Sequence, residues 1–113
     1  MRTELNYREL FNRIGHSGEQ FDDDWVESIE EKIRAEGDIV GRHEWDSGGP
    51  GAGAGVEYVY RFRELYFSQD DTGMFGPYNS FTEAADAVGL LTVNEATTEL
   101  WVDSRYRGKI EKS

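Results

Sequence analysis

The fold is decided by residues 22–45, which read DDDWVESIEEKIRAEGDIVGRHEW. Apolar residues recur at helical spacing in the first part of this stretch and form one stripe: Trp25, Ile29 and Ile33. Asp22 is a favourable N-cap, and Gly37 stands where a left-handed C-cap is expected. The stretch therefore predicts a helix over 23–36 that leads, without a linker, into an extended segment.

That extended segment alternates in the way a half-buried strand does, so we expect a strand over 38–45. Its residues divide into two faces, with Ile39, Gly41, His43 and Trp45 on one and Val40, Arg42 and Glu44 on the other. Other runs of apolar and β-branched residues predict strands at 56–62, 65–67, 74–75 and 97–102. The sequence Asp70–Gly73 is typical of a turn between two of them.

Two more helices complete the predicted element order. An apolar stripe predicts the first over 6–15, and a capping box from Ser80 to Glu83 begins the other, which extends to about Val88. We therefore predict an α+β fold: an antiparallel sheet of three to five strands, with two N-terminal helices and one later helix packed on one face.

The chain of 113 residues has the length of one domain. We expect residues 1–103 to form a single α+β domain and residues 104–113 to form a basic, frayed C-terminal tail. The chain has no cysteine, which excludes disulfides and thiolate metal sites and favours a reducing compartment. No apolar run approaches the roughly 20 residues of a membrane-spanning helix. The sequence therefore predicts a soluble, cytoplasmic protein.

The formal net charge of −11 is the main functional signal in the composition. It repels nucleic-acid phosphates and anionic lipid surfaces, so we expect neither a nucleic acid nor a membrane as partner. Residues 19–46 carry eleven carboxylates against three cations, a net charge of −8. Acidity that serves solubility alone is the simplest interpretation. The functional interpretation is a surface for a protein partner, itself basic, with Glu27, Glu30 and Glu31 as candidate binding residues.

No catalytic, cofactor-binding or metal-binding motif is present in the sequence. The glycine-rich segment Ser47–Gly55 precedes a strand and lacks the Gly-Lys-Ser/Thr ending of a phosphate-binding loop, so we interpret it as a connection between two strands. His16 and His43 lack the spacing of metal ligands. We therefore predict no catalytic residue, no cofactor and no metal, and the sequence favours a non-catalytic domain.

A small-molecule site is an alternative from a different functional class. His43 would exchange a proton or form a hydrogen bond, Trp45 and Tyr58 would stack on a ligand, and the glycine-rich loop would cover it. The chain would then be a ligand-binding domain or a minor enzyme. A third hypothesis is a homo-oligomer, because self-association would hide an aromatic sheet face that the helices left uncovered.

In its small size, its acidity and its lack of catalytic residues, the chain resembles the immunity proteins of bacterial toxin systems, which bind a toxin and block it. The resemblance lies in composition only, so it assigns no functional residue to this sequence. It implies a non-catalytic module whose partner is another protein.

Overall fold

The structure is a computed structural model, and it describes residues 4–46, 54–70, 72–88 and 97–106. The described elements are, in chain order, α1 (Tyr7–Ile14), α2 (Asp23–Glu36), β1 (Asp38–Asp46), β2 (Ala54–Phe62), β3 (Leu65–Asp70), β4 (Gly73–Tyr78), α3 (Phe81–Ala87) and β5 (Thr97–Val102). The predicted element order and the α+β class are therefore confirmed. The glycine-rich connection is shorter than predicted because β2 begins at Ala54, and residues 47–53 lie outside the described ranges.

Side-chain caps start all three helices, as local sequence predicts for two of them. The Asp22 carboxylate accepts from the backbone N–H of Trp25 at 2.9 Å, and the Ser80 hydroxyl accepts from that of Glu83 at 3.2 Å. Gly37 ends α2 differently from the prediction, since its φ of −75° is not left-handed. A Cβ at this position would lie 2.4 Å from the carbonyl oxygen of Ile33, so the site needs a glycine for space.

The sheet has five strands in the order β4-β3-β2-β1-β5, and every neighbouring pair is antiparallel. β2 and β3 form a hairpin through a two-residue turn, Arg63–Glu64. The long connection from β4 through α3 returns the chain to the far side of β1, where β5 pairs. This confirms the antiparallel sheet at the upper end of the predicted strand number.

Helices cover both faces of the sheet, which differs from the predicted packing on one face. We call them the α1/α2 face and the α3 face. The core between the sheet and the first two helices includes Leu10, Trp25, Ile29, Ile33, Tyr60, Phe62, Phe67 and Met74. The core under α3 includes Val40, Val59, Tyr78, Phe81, Ala84, Ala85, Val88 and Val102. The physical reason is that β2, β3 and β4 carry large apolar residues on both sides, so each face needs a cover.

A β-bulge in β1 changes the predicted division of its residues. The register shifts between Ile39, which pairs with Tyr60, and Gly41, which pairs with Val59. Val40 is consequently buried in the α3 core, whereas Ile39 is 43% exposed on the α1/α2 face. Ile39 and His43, predicted to share a face, therefore lie on opposite ones.

The packed part of the chain extends past residue 103, where we expected a frayed tail to begin. The ring of Tyr106 stacks on Phe81 with 4.7 Å between ring centroids, and its hydroxyl lies 2.8 Å from that of Tyr66. These contacts hold the turn after β5 against the α3 face. Residues 107–113 lie outside the described ranges. None of the described helices is long and apolar enough to cross a membrane.

Candidate functional site

The outward side of α2 is a continuous acidic surface. Trp25, Ile29 and Ile33 point into the core, and the helical period then places other positions opposite them. The exposed carboxylates near this outer side are Asp23, Asp24, Glu27 and Glu31. Spacings of three and four residues bring Asp24, Glu27 and Glu31 together on one side of the helix. We call these three residues the acidic stripe.

The carboxylates of the acidic stripe form no ion pair with any described cation. Carboxylates elsewhere form ion pairs, namely Glu19 with Arg63 at 2.9 Å, Glu44 with Arg42 at 3.1 Å and Asp103 with Arg105 at 3.0 Å. Within the described ranges, no Lys, Arg or His forms an ion pair with Asp24, Glu27 or Glu31. Among the described residues, therefore, none neutralises the negative charge that the acidic stripe presents to solvent.

Glu30, the third predicted binding residue, has a role in packing. It is half-buried, and its Oε2 accepts a hydrogen bond from the Tyr7 hydroxyl at 3.1 Å. Burial raises the pKa of the Tyr7 phenol, and the neighbouring Glu30 carboxylate raises it further. The contact joins α1 to α2. Glu27 and Glu31, unlike Glu30, are fully available to a partner.

The predicted pocket residues are only partly brought together. His43 is 8% exposed on the α3 face, and its Nδ1 lies 3.2 Å from Oε2 of Glu57 on the neighbouring strand. Tyr58 lies on the opposite face. It pairs with Arg42, the neighbour of His43 in β1, and neighbouring residues of a strand point to opposite faces. The side chain of Trp45 and residues 47–53 of the predicted loop lie outside the described part. A stacking site that joins His43 to Tyr58 is therefore not formed, and a ligand role for His43 stays a prediction.

A groove that sequence reasoning missed lies at the opposite end of β2 from the glycine-rich segment. It has a volume of about 430 Å³, and its ionisable lining residues are His16, Glu36, Asp38, Arg61, Arg63 and Glu64. The Nε of Arg61, one of these lining residues, is buried and meets no hydrogen-bond acceptor among the described residues. The groove carries both signs of charge at close range. Such a mixed lining fits neither a simple anion nor a simple cation.

Glu19 is the centre of a hydrogen-bond network that includes His16 and Arg63, two residues that line this groove. Its carboxylate accepts hydrogen bonds from the Arg63 guanidinium at 2.9 and 3.3 Å, from Lys32 Nζ at 3.2 Å and from the backbone N–H of His16 at 2.7 Å. The hydrogen bonds from Arg63, more than any other contact, lower the pKa of Glu19 to about 2. Arg63 also donates to the carbonyl oxygen of Ile14 at 2.8 Å. The network fastens the end of α1 and the loop before α2 to the β2–β3 turn.

The described residues contain no group of three or more His, Cys, Asp and Glu side chains arranged to hold a metal ion. Comparison of the chain with protein-family models, with curated proteins and with solved structures found no match.

Proposed function

We propose that this chain is a non-catalytic protein-binding domain that captures a basic partner through the acidic stripe. The observation that carries the proposal is the clustering of three exposed carboxylates on one side of α2: Asp24, Glu27 and Glu31 form no ion pair with any described cation, whereas Glu19, Glu44 and Asp103 do. Like charges at helical spacings repel one another. A partner that supplies cations relieves that repulsion and gains charge-assisted hydrogen bonds.

The helix that presents the acidic stripe is packed tightly against the core, which favours binding of a partner. The Trp25 ring meets Phe11 edge-on at 5.1 Å between centroids and lies 5.9 Å from Phe21. Ile29 and Ile33 are almost fully buried beneath the helix. Little conformational entropy is therefore lost when a partner binds a surface already held in place.

The expected partner is a protein with Lys or Arg side chains grouped over a similar length. The whole-chain charge of −11 speeds its approach by long-range attraction, and the acidic stripe fixes where it binds. Because the contacts are exposed ion pairs, salt should weaken the complex.

A matched pair of charge reversals tests the proposal. The test variant is Glu27→Lys with Glu31→Lys; Glu30 is left intact because it supports Tyr7. The control is Glu4→Lys with Glu64→Lys, which changes the net charge equally at exposed carboxylates outside the acidic stripe. The tagged chain is used to recover partners from native lysate at low and moderate salt, with circular dichroism to confirm folding.

We expect a stoichiometric basic partner with the wild type and the control, weakened by salt and lost with the Glu27/Glu31 variant. Equal recovery by both variants, or a partner that is acidic and insensitive to salt, would contradict the proposal.

A further inference from the structure

The groove at the end of β2 holds opposite charges that do not pair with one another. Glu36 and Asp38 are exposed lining residues, and Arg61 lines the same groove. Within the described ranges, none of these three side chains forms an ion pair. Asp38 and Arg61 are partners in the register of β1 and β2, so their side chains share one face of the sheet. The described part of the chain thus leaves these three charges without an internal partner.

The guanidinium of Arg61 has a buried donor that needs an acceptor. Its Nε is buried, and no described residue supplies a hydrogen-bond acceptor to it. A buried donor without an acceptor is unfavourable, and a ligand that brings an oxygen atom to it removes that cost. Nε and the adjacent Nη form the edge with which an arginine binds both oxygens of a carboxylate. Arg61 therefore offers this groove a binding position for a carboxylate.

The two carboxylates lie at the C-terminus of α2, where a cation is favoured. Glu36 is the last residue of α2, and Asp38 is the first residue of β1. The C-terminal end of a helix carries partial negative charge, so carboxylates there are unfavourable for the helix itself. An ammonium group in this position is attracted both by the two carboxylates and by the helix dipole. This part of the groove therefore fits the cationic group of a ligand.

Two neighbouring cations are already engaged by other carboxylates. Arg63 donates to Glu19 at 2.9 and 3.3 Å. Arg105 donates to the two carboxylate oxygens of Asp103 at 3.0 and 3.1 Å. The pKa of Arg105 is raised mainly by these hydrogen bonds and to a smaller extent by the charge of Asp38. Asp38 therefore lies near Arg105, but the guanidinium is held by Asp103.

We propose that this groove binds a free amino acid, with the α-carboxylate on Arg61 and the α-ammonium group beside Glu36 and Asp38. A ligand with a single charge would pair with one part of the lining and leave the other part unpaired, whereas a zwitterion pairs with both. The volume of about 430 Å³ accommodates a free amino acid with its side chain.

The lining also restricts which amino acids fit. Among the described lining residues only Phe62 is apolar, and it is 5% exposed. The groove therefore offers little apolar surface, and we expect it to prefer small or polar side chains. It contains no residue of the acidic stripe, so this site is independent of the capture of a protein partner.

Two-dimensional ¹H–¹⁵N NMR of the full chain, titrated with each of the common free L-amino acids, gives the first readout. We expect shifts of the backbone amides of Gly37 and Arg61, with dissociation constants of about 0.1–10 mM because the ligand makes few contacts. For the amino acid that binds best, the amide lacks the carboxylate and the N-acetyl derivative lacks the ammonium group. Each should bind at least about tenfold more weakly. Equal binding of either derivative would overturn the proposal, as would the absence of these shifts over this concentration range with every free amino acid.

Substitutions in the groove give the second readout. Asp38→Asn and Arg61→Gln should each weaken binding of the free amino acid at least about tenfold. Asp38→Asn should weaken the N-acetyl derivative much less, because that derivative has no ammonium group to lose a partner. Glu9→Gln, which removes one exposed carboxylate on α1 outside the groove, is the matched control and should leave binding unchanged.

Circular dichroism shows whether each variant folds. Asp38 is exposed, so Asp38→Asn tests the proposal even where Arg61→Gln destabilises the chain. Unchanged binding by Asp38→Asn, or an equal loss with Glu9→Gln, would overturn the proposal, whatever the outcome of the partner-capture experiment.

Discussion

At the scale of single residues, Glu19 shows a contact that local sequence could not have predicted. It lies in the loop between α1 and α2, yet its main partner is Arg63, far along the chain in the β2–β3 turn. Caps such as Asp22 and Ser80 were predicted correctly because donor and acceptor are three residues apart. A contact between distant residues depends on how the elements pack, which no local pattern records.

Substitution of Glu19 by Gln should destabilise the fold in a pH-dependent way. The folded-state pKa of about 2 lies below the ordinary value of 4.5, so the unfolded state binds more protons between these values. The stabilisation from Glu19 is therefore complete above about pH 5 and is lost as the pH falls toward 2. We expect Glu19→Gln to lower the free energy of unfolding by about 1–2 kcal/mol at pH 7, measured by urea denaturation.

The control for this change is Glu64→Gln, which alters an exposed carboxylate that pairs with no described cation. It should stay within about 0.5 kcal/mol of the wild type at every pH. The gap between Glu19→Gln and the wild type should narrow steadily from pH 5 toward pH 2. A gap that stays constant over this range would contradict the role assigned to the charge.

At the scale of elements, the β2–β3 turn consists of two residue types that are unusual in a two-residue hairpin turn. A two-residue hairpin turn with positive φ at both positions normally uses Asn-Gly or a similar pair. Here Arg63 has a φ of 49° and Glu64 a φ of 68°. By contrast, α2 and β5 match their predicted ranges, 23–36 and 97–102. The periodicity and caps of α2 and the β-branched and aromatic residues of β5 are all features of the local sequence. The strain at Arg63 is offset by its hydrogen bonds to Glu19 and Ile14.

Glycine at the two turn positions should therefore have opposite effects. Glu64→Gly removes the strain of the left-handed conformation without loss of a described contact, and should raise the free energy of unfolding by about 0.5–1 kcal/mol. Arg63→Gly relieves the same kind of strain but leaves Glu19 without its main partner, and should lower it by about 1–3 kcal/mol. Thermal and urea unfolding of the two variants measure these changes in the free energy of unfolding. The same sign for both would contradict the account of the turn.

At the scale of the whole molecule, three adjacent strands, β2, β3 and β4, are shared by two cores. Neighbouring residues of β3 show this, since Phe67 packs under α1 and α2 while Tyr66 packs on the α3 face. The sequence indicated an apolar face on β2 and a helix after β4, but our prediction that this helix packs on the same face as the first two is wrong. The decision depends on the apolar residues of the second face, Val59, Tyr66 and Phe75, which α3 and Tyr106 cover together.

Because the two cores share β2, β3 and β4, a substitution that destabilises one core should also destabilise the other. Tyr106→Ala removes the ring that stacks on Phe81 and should lower the free energy of unfolding by about 1–3 kcal/mol, less than a fully buried aromatic because this ring is half-buried. Tyr106→Phe keeps the stacking and loses only the hydrogen bond to Tyr66, so it should cost about 0.5–1.5 kcal/mol. Both variants carry Trp45→Phe and Trp101→Phe, which leaves Trp25, on the opposite face, as the fluorescent reporter.

Urea unfolding is followed by far-ultraviolet circular dichroism for the whole sheet and by Trp25 fluorescence for the α1/α2 core. If the shared strands couple the two cores, the two signals change together at one midpoint, and Tyr106→Ala moves both by the same amount. If instead each face unfolded separately, Tyr106→Ala would shift the circular dichroism transition and leave that of Trp25 in place. The single transition is expected because neither core can lose β2, β3 or β4 without exposing the other's apolar side chains to water.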